Sequence, residues 1–327
     1  MTHLRVLQAG PSTTVQDAGR LAWQHLGVSP AGFADPLLAA LGNALVGNPQ
    51  GAAVLEWTLR GDALQVVRGP VRVAVAAWAD ARVDGQPVPT FRALRLDDGQ
   101  VLTVGQLARG RHGVLAVAGG VQSEVVLGSR SVHVRTGLGG RALQPGDTLP
   151  LLADALLAPA LVLPLEAVAL PRLQLRILPG PQVALFAPGA LDQLTAARWH
   201  VRAADRMGAR LTSDAALIAP LPHVEPISQG VVTGALQFPP SGQAILLGPD
   251  RQTIGGYAQL AVVISADLRH LAQARDGQVL GFLAVTPYEA IAAHVQAEAD
   301  LARQLRAIAP AHDWLPVESP CLLRRLT

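Results

Sequence analysis

Short apolar runs of strand length, each cut by turn residues, fill the first half of the chain and limit what it can fold into. Runs rich in Val, Leu and Ala between Gly, Pro and Asp predict β-strands, and the Asp-Gly pairs within 83–87 and 97–99 predict hairpin turns. Helical segments do not alternate with them, so a barrel or sandwich is favoured over strand–helix units. The runs are LRVLQAG, AAVLEWTL, DALQVV, VRVAVAA, RALRL, QVLTVG and GVLAVAGG.

Two helices interrupt or follow this pattern, each marked by end signals. The signals are Asp35, Pro36 and Gly47 for the first, and the capping box Thr286, Pro287 and Glu289 for the second. A further helical stretch is predicted near 189–197. On the C-terminal helix one face carries Ile291, Val295, Leu301, Leu305 and Ile308. We expect that helix to be structural or to lie at an interface.

A Pro-rich stretch over 145–172 is the best candidate for a domain boundary. After it, LQLRILPGP (173–181) repeats the pattern of HLRVLQAGP (3–11), which is typical of two barrels of similar design. We therefore predict an N-terminal barrel over 1–165, a second barrel over 166–285, and a helix with a tail over 286–327.

Composition excludes several classes of function. No Lys occurs, so all 26 basic residues are Arg, and a P-loop lysine, a Schiff base and lysine-linked biotin are excluded. The single Cys321 excludes an intrachain disulfide, and the His residues lack metal-ligand spacing.

The apolar stretch 151–170 carries two acids and two prolines, which argues against a membrane span. The opening MTHLRVLQAGPS lacks the apolar region of a signal peptide, so we expect a soluble cytoplasmic protein. The Arg residues are dispersed, which gives only weak support for nucleic-acid binding.

Four polar, Gly-punctuated segments are candidates for a site: 10–20, 128–147, 205–211 and 248–257. In the last, GPDRQTIGGY, Asp250 follows an apolar strand, so it is either a general acid or base with a pKa raised by burial or a capping residue in a turn. The Arg residues of 128–147 suit an anion, and the Asp-Arg pair of 205–211 suits a local salt bridge. We expect these loops to meet in one polar cleft on a barrel scaffold.

Over roughly residues 4–285, these segments resemble the C-subunit family of bacterial 5-oxoprolinase, also described as allophanate-hydrolase-subunit-2-like or biotin-dependent carboxyltransferase-like. The family includes antagonists of a sporulation kinase inhibitor and resembles half of a urea carboxylase domain. The matching motifs, in order, are GPSTTVQDAGR, GFADPLLAALGNALVGN, VLEWTLRG, AVAGGV, LGSRS, GGRALQPGD, DRMGARL, SQGVVTGALQFPPSGQAILL and DRQTIGGY.

The resemblance implies a mainly β fold of two cyclophilin-like barrels. It also implies partners, a B-like and an A-like subunit, with which such a chain opens 5-oxoproline to L-glutamate. ATP with Mg, at the level of the complex, would phosphorylate the lactam oxygen and make the ring carbon electrophilic. No covalent cofactor is implied on this chain. The alternatives are a regulatory protein that antagonises a B-like inhibitor, and a carboxyltransferase component acting on a urea-like amide with biotin on another chain.

The resemblance also implies site residues. The catalytic candidates are Asp250, Gln252 and Tyr257. The substrate- or anion-binding candidates are Gln16, Asp17, Arg20, Arg130, Arg141, Asp205, Arg206, Gln237, Thr253, Gly255 and Gly256, with no metal ligands. Asn43 and Glu56 match family positions and have structural or functional interpretations. The chain departs from the family pattern at Gln229, Ile254 and Val132, where the family has Glu, Thr and Thr.

Overall fold

The computed structural model of the chain describes residues 2–152, 159–213, 217–222 and 226–311. The chain forms two compact units. The first comprises Met1–Gly19, Pro36–Ala169 and Ala302–Thr327, and the second comprises Arg20–Asp35 and Leu170–Leu301. Segment 20–35 thus belongs with the second unit, although sequence-based boundaries place it in the N-terminal barrel. Cys321 lies outside the described residues.

Twelve described strands of the first unit come before the second unit's barrel in the sequence. They are β1 (His3–Gln8), β2 (Thr13–Gln16), β3 (Val54–Thr58), β4 (Ala63–Val67), β5 (Val71–Ala76), β6 (Ala79–Val83), β7 (Gln86–Val88), β8 (Ala93–Leu96), β9 (Val101–Leu107), β10 (His112–Val117), β11 (Thr148–Pro150) and β12 (Leu161–Val162). The seven predicted apolar runs are all strands, which confirms that interpretation. Strand β2 corrects the sequence-based prediction, which treats residues 10–20 as a loop.

Two antiparallel sheets build the first unit. One has the order β11-β1-β4-β9-β6-β7 and the other β2-β3-β10-β5-β8. Their apolar residues form one buried cluster, in which Leu4 and Val66 come from the first sheet and Trp57 and Leu115 from the second. Burial of such side chains stabilises each by about 1.5–3 kcal/mol.

Helix α1 (Pro36–Leu45) confirms the first predicted helix. Its residues Leu38, Leu41 and Leu45 are fully buried, and the helix packs against β5 and β10. Gly47 follows at φ +78°, a left-handed conformation that Gly adopts without a steric penalty.

The second unit is a closed barrel with the order β13-β20-β17-β18-β15-β14-β21. It contains β13 (Gln174–Pro179), β14 (Trp199–Arg202), β15 (Gly208–Ser213), β16 (Gln229–Gly230), β17 (Ala235–Phe238), β18 (Ala244–Leu247), β19 (Ile254–Gly255), β20 (Ala258–Val263) and β21 (Val279–Ala284). Strands β16 and β19 pair outside the barrel as a ladder of two residue pairs. The mainly β fold class is confirmed.

Aromatic side chains fill the barrel core. Trp199 is 2% exposed and meets Phe238 and Phe282 edge-on at centroid distances of 6.0 and 6.3 Å. Each such pair contributes about 0.5–1.5 kcal/mol beyond its buried area. These three rings belong to the apolar cluster that fills the barrel core.

Helices α2 (Ala190–Ala196) and α3 (Leu268–Ala272) belong to the second unit, and α4 spans Pro287–Arg306. The capping box of α4 is confirmed: Thr286 N–H donates to Glu289 Oε2 over 2.7 Å, and Glu289 N–H donates to Thr286 Oγ1 over 3.2 Å. On its predicted apolar face, Ile291 and Val295 are exposed. Strand β22 (Ala309–Pro310) pairs with β12 in the first unit.

No helix among the described residues is both long enough and apolar enough to span a membrane.

Candidate functional site

A buried ion pair joins two of the predicted site residues in the second unit. Arg206 Nε donates to Asp250 Oδ2 over 2.9 Å, and Arg206 Nη2 donates to Asp250 Oδ1 over 2.8 Å. The two side chains are 8% and 6% exposed. The backbone N–H of Asp250 also donates to the carbonyl of Arg206 over 2.9 Å. Both carboxylate oxygens of Asp250 therefore face the guanidinium of Arg206, which favours a positioning role, and proton transfer by Asp250 stays a prediction.

Three arginines hold segment 20–35 within this unit. Arg206 Nη2 donates to the carbonyl of Gly32 over 2.6 Å, and Arg251 Nη2 donates to Gln24 Oε1 over 2.6 Å. At the end of the segment, Arg269 pairs with Asp35 through Nε and Oδ1 at 3.2 Å. These bonds explain why a segment so distant in sequence belongs to the barrel unit.

Arg20, at the start of this segment, is 2% exposed. Its backbone N–H donates to the carbonyl of Pro30 over 2.8 Å. The bond closes the segment on itself, so Arg20 is fixed in place within the second unit.

Arg251 differs from the buried Arg206, because its partners in the described chain are neutral. It is 3% exposed. Its Nε donates to the carbonyl of Val231 over 3.2 Å, its Nη2 binds Gln24, and its buried Nη1 has no hydrogen-bond partner among the described residues. Burial lowers the pKa of the guanidinium. The functional residues predicted from the sequence do not include Arg251, although its position next to Asp250 in a polar stretch indicates a functional role.

Gly255 lies against the side-chain amide of Gln237. A Cβ added at Gly255 would lie 2.6 Å from Gln237 Nε2 and 3.0 Å from Val231 Cγ1. Gln237 is 1% exposed and donates to the carbonyl of Tyr257 over 3.4 Å. A residue larger than Gly at 255 would displace that amide, so the Gly is required by close approach.

The other predicted residues of 248–257 have varied surroundings. Gln252 is exposed, Tyr257 is 47% exposed, and the carbonyl of Thr253 accepts from the N–H of Val231 over 3.0 Å. A Cβ at Gly256 would lie 3.2 Å from Ser228 Oγ. Their predicted roles stay predictions.

Asp205 holds a turn. Its Oδ1 accepts from the N–H groups of Met207 and Gly208 over 2.7 and 3.1 Å. Such a local cap is typical of an Asp that sets loop geometry. In this structure Asp205 places Arg206, and Arg206 carries the ion pair.

In the first unit, Asp17 ties two predicted segments together. Its carboxylate accepts from Ser129 Oγ, from Ser131 Oγ over 2.7 Å and from the N–H of Arg130 over 2.6 Å. Burial alone would raise the pKa of Asp17, but these hydrogen bonds, with one from Gly19, hold its pKa below the usual value. Asp17 is thus a carboxylate that fixes the 129–131 loop.

Gln16, next to Asp17, is fully buried. Its Nε2 donates to Thr14 Oγ1 and to the carbonyl of Val132, each over 2.9 Å, and its buried Oε1 has no hydrogen-bond partner in the described chain. Arg130 Nη2 donates to Gln122 Oε1 over 3.0 Å.

Arg141 is exposed and is paired within its own loop. Its Nη1 and Nη2 donate to Asp147 over 2.7 and 2.8 Å. This pair lowers the pKa of Asp147. Both Nη atoms of Arg141 therefore already bind a neighbouring carboxylate in the structure.

Asn43 and Glu56 of the first unit have both a structural and a functional interpretation, and both residues are buried. Asn43 Nδ2 donates to the carbonyls of Gln50 and Ala52 over 3.2 and 2.9 Å, which favours the structural interpretation. Glu56 Oε1 lies 3.7 Å from His112 Nδ1, and both side chains are buried.

Gln16 and Asp17 belong to the first unit, whereas Arg20, Arg206 and Asp250 belong to the second. Their expected meeting in one cleft stays a prediction. Within the described ranges, no group of three or more His, Cys, Asp or Glu residues is arranged to hold a metal ion.

Comparison with known proteins identifies the family of this chain. The family described as carboxyltransferase domain, subdomain A and B, matches residues 26–284. The C subunit of the 5-oxoprolinase of Escherichia coli (strain K12) is 34% identical over 301 residues, which are 89% of this chain and 94% of that protein. The chain belongs to the 5-oxoprolinase C-subunit family. The corresponding protein of Haemophilus influenzae is 33% identical over 87% of this chain and 92% of its own length.

Two solved structures have a similar fold. A crystal structure of TTHA0988 has a TM-score of 0.77 and 34% identity over 86% of this chain, which spans 55% of the length of TTHA0988. The K. lactis urea amidolyase has a TM-score of 0.83 and 23% identity over 95% of this chain, and 21% of the urea amidolyase is matched. At that identity the urea amidolyase supports the fold alone.

Proposed function

We propose that the chain is the C subunit of an ATP-dependent 5-oxoprolinase, which opens 5-oxoproline to L-glutamate together with B-like and A-like subunits. The observation that carries this proposal is the nearly end-to-end match to the C subunit of the E. coli enzyme, over 94% of that protein. A match of that extent leaves little of the relative without a counterpart here.

The residues of the second unit suit a supporting role in such a reaction. The ion pair between Arg206 and Asp250 fixes the loop 248–257, and Gly255 brings the backbone of that loop against Gln237. Preorganised polar groups of this kind hold a small amide in one orientation, which lowers the entropic part of the barrier.

ATP would supply the phosphoryl group that activates the lactam oxygen. The chain has no Lys, and its described residues have no metal-binding cluster. These residues by themselves do not fit Mg-ATP, so we assign ATP and Mg to the assembled complex.

The test is reconstitution. The chain is co-expressed with the B-like and A-like proteins from its genome, and ADP release that depends on 5-oxoproline is measured with and without this chain. We expect activity only when all three are present. Equal activity without this chain would refute the proposal.

A stable complex without activity would instead favour the regulatory alternative. The urea amidolyase likeness motivates one further arm, in which urea replaces 5-oxoproline and a biotin carrier with its carboxylase is supplied. Turnover of urea alone would favour the carboxyltransferase alternative.

A further inference from the structure

Three glutamine side chains of the second unit share one face. Gln229 is the register partner of Gly255 in the β16–β19 ladder, and register partners direct their side chains to the same face. On that face, the position of a Cβ at Gly255 is 2.6 Å from Gln237 Nε2. Gln237 is in turn the register partner of Gln259 in the β17–β20 pair. The three amides therefore converge beside Gly255, and we call Gln229, Gln237 and Gln259 the glutamine cluster.

Much of the hydrogen-bonding capacity of this cluster is unused. Gln229 Nε2 and Gln259 Nε2 are buried and have no hydrogen-bond partner in the described chain. The contact of Gln237 Nε2 with the carbonyl of Tyr257 is long, at 3.4 Å. Buried polar groups are nearly always paired in native proteins, so such a concentration points to an absent partner.

Arg251 lies at the same place. Its Nε donates to the carbonyl of Val231, whose Cγ1 is 3.0 Å from the position of a Cβ at Gly255. Its Nη1 is a further buried donor without a partner in the described chain. Arg206 and Arg269 each face a carboxylate, but Arg251 binds only neutral oxygens. A buried cation of this kind is costly unless an anion compensates it.

We infer that the glutamine cluster and Arg251 form the binding site for a small ligand that carries both an amide group and a carboxylate. The carboxylate lies opposite Arg251 and the amide opposite the glutamines. A glutamine amide offers a donor and an acceptor, which matches the carbonyl and N–H of a lactam. Assigning the lactam as 5-oxoproline rests on the proposed function, whereas the carboxylate requirement rests on Arg251.

The β16–β19 ladder provides the way in. It has two residue pairs and lies outside the barrel, and Ile254 and Tyr257 beside it are exposed. Opening a ladder this short breaks few hydrogen bonds. The unpaired donors lie beneath the surface in the closed ladder, so a ligand enters as the ladder lifts.

The test measures ligand binding by titration calorimetry, on the full chain and on the co-expressed complex. The probes are L-5-oxoproline, 2-pyrrolidinone (a lactam without a carboxylate) and acetate. Arg251→Gln should weaken L-5-oxoproline by about 10-fold to 100-fold, the range for a charge-assisted hydrogen bond, and leave 2-pyrrolidinone unchanged. Arg251→Lys, which keeps the charge, should lose less. Arg210→Gln is the matched control, because Arg210 is exposed and donates to Gln243.

Gln259→Met separates ligand binding from folding. It removes a buried donor that has no partner in the described chain, so the free energy of unfolding should stay the same or rise. Binding of both lactams should nevertheless weaken by about tenfold. A purely structural Gln259 would not give that combination.

The outcomes are distinct. Unchanged L-5-oxoproline affinity in both Arg251→Gln and Gln259→Met overturns the inference, as does no binding of any probe to chain or complex. Binding of acetate that depends on Arg251, without binding of either lactam, would keep the carboxylate site and remove both the amide part of the inference and the proposed 5-oxoprolinase substrate.

Discussion

Arg206 and Asp250, which are 44 residues apart in the chain, form a two-point ion pair that is almost fully buried in the second unit. The first unit contains another two-point pair, in which Arg141 binds Asp147 through Nη1 and Nη2, and there the arginine side chain is 56% exposed. The two pairs therefore differ in the guanidinium nitrogens that they use and in their access to water.

Asp250→Asn should lower the free energy of unfolding by about 3–5 kcal/mol, because it leaves the buried charge of Arg206 without its counter-ion. Asp147→Asn should cost less than about 1 kcal/mol, because water solvates Arg141. Urea denaturation of both variants gives the comparison. Similar losses for the two would contradict the role that we give to burial.

Gly255→Ala should destabilise the chain by about 1–3 kcal/mol, because the added methyl group overlaps Gln237 Nε2. Gly230→Ala is the matched control, since Gly230 lies in the partner strand and a Cβ there meets nothing within 4 Å. Thermal unfolding measures both. If Gly255→Ala retains the wild-type Tm, the contact between Gly255 and Gln237 is not tight in solution.

His270 should make the second unit sensitive to acid. Burial, with a contribution from the Arg269 charge, lowers the pKa of His270 to about 4, and His270 Nδ1 accepts from the N–H of Arg172 over 3.2 Å, which requires a neutral ring. The nearby carboxylates of Asp267 and Asp35 act in the opposite direction. Between the folded-state pKa of about 4 and the unfolded-state pKa of about 6.5, the folded state therefore binds fewer protons than the unfolded state.

The direction in which stability changes with pH follows from this difference in bound protons. Stability is complete above the unfolded-state pKa of about 6.5 and decreases as the pH falls towards 4, by about 3 kcal/mol in total. His270→Gln should remove this part of the pH dependence, whereas His294→Gln, at an exposed position, should keep it. Denaturation of the three proteins between pH 4 and pH 7 is the measurement, and parallel curves for wild type and His270→Gln would refute it.

Arg141→Gln should leave the kcat/KM of the reconstituted complex for 5-oxoproline within about twofold of wild type. The reason is that Arg141 is exposed and already bound to Asp147. The assay is steady-state ADP release. A loss of more than tenfold would return Arg141 to the group of anion-binding residues.

The sequence predicted the strands well where apolar residues carry the pattern, and it missed β2 because that strand is polar. Thr13 and Gln16 are nonetheless buried, since Thr13 donates to Asp62 Oδ1 over 2.7 Å and Gln16 to the carbonyl of Val132. Satisfied polar groups can lie inside, and local composition does not reveal their partners.

The candidate site was predictable as a set of polar loops but not as a set of charges. The sequence places Arg251 next to Asp250, yet the carboxylate binds Arg206 and leaves Arg251 with neutral partners. Which arginine takes the acid depends on backbone geometry, since Asp250 N–H also binds the carbonyl of Arg206. That choice decides which cation is available for a ligand.

The anchoring of segment 20–35 has a consequence for chimaeras between relatives. Exchanging residues 170–301 alone would carry over Arg251 and Arg269 but exchange neither Gln24 nor Asp35, so the transplanted arginines would meet foreign acceptors. A functional exchange has to move both pieces of chain at once. Evolution by recombination at a single crossover is therefore restricted in this protein.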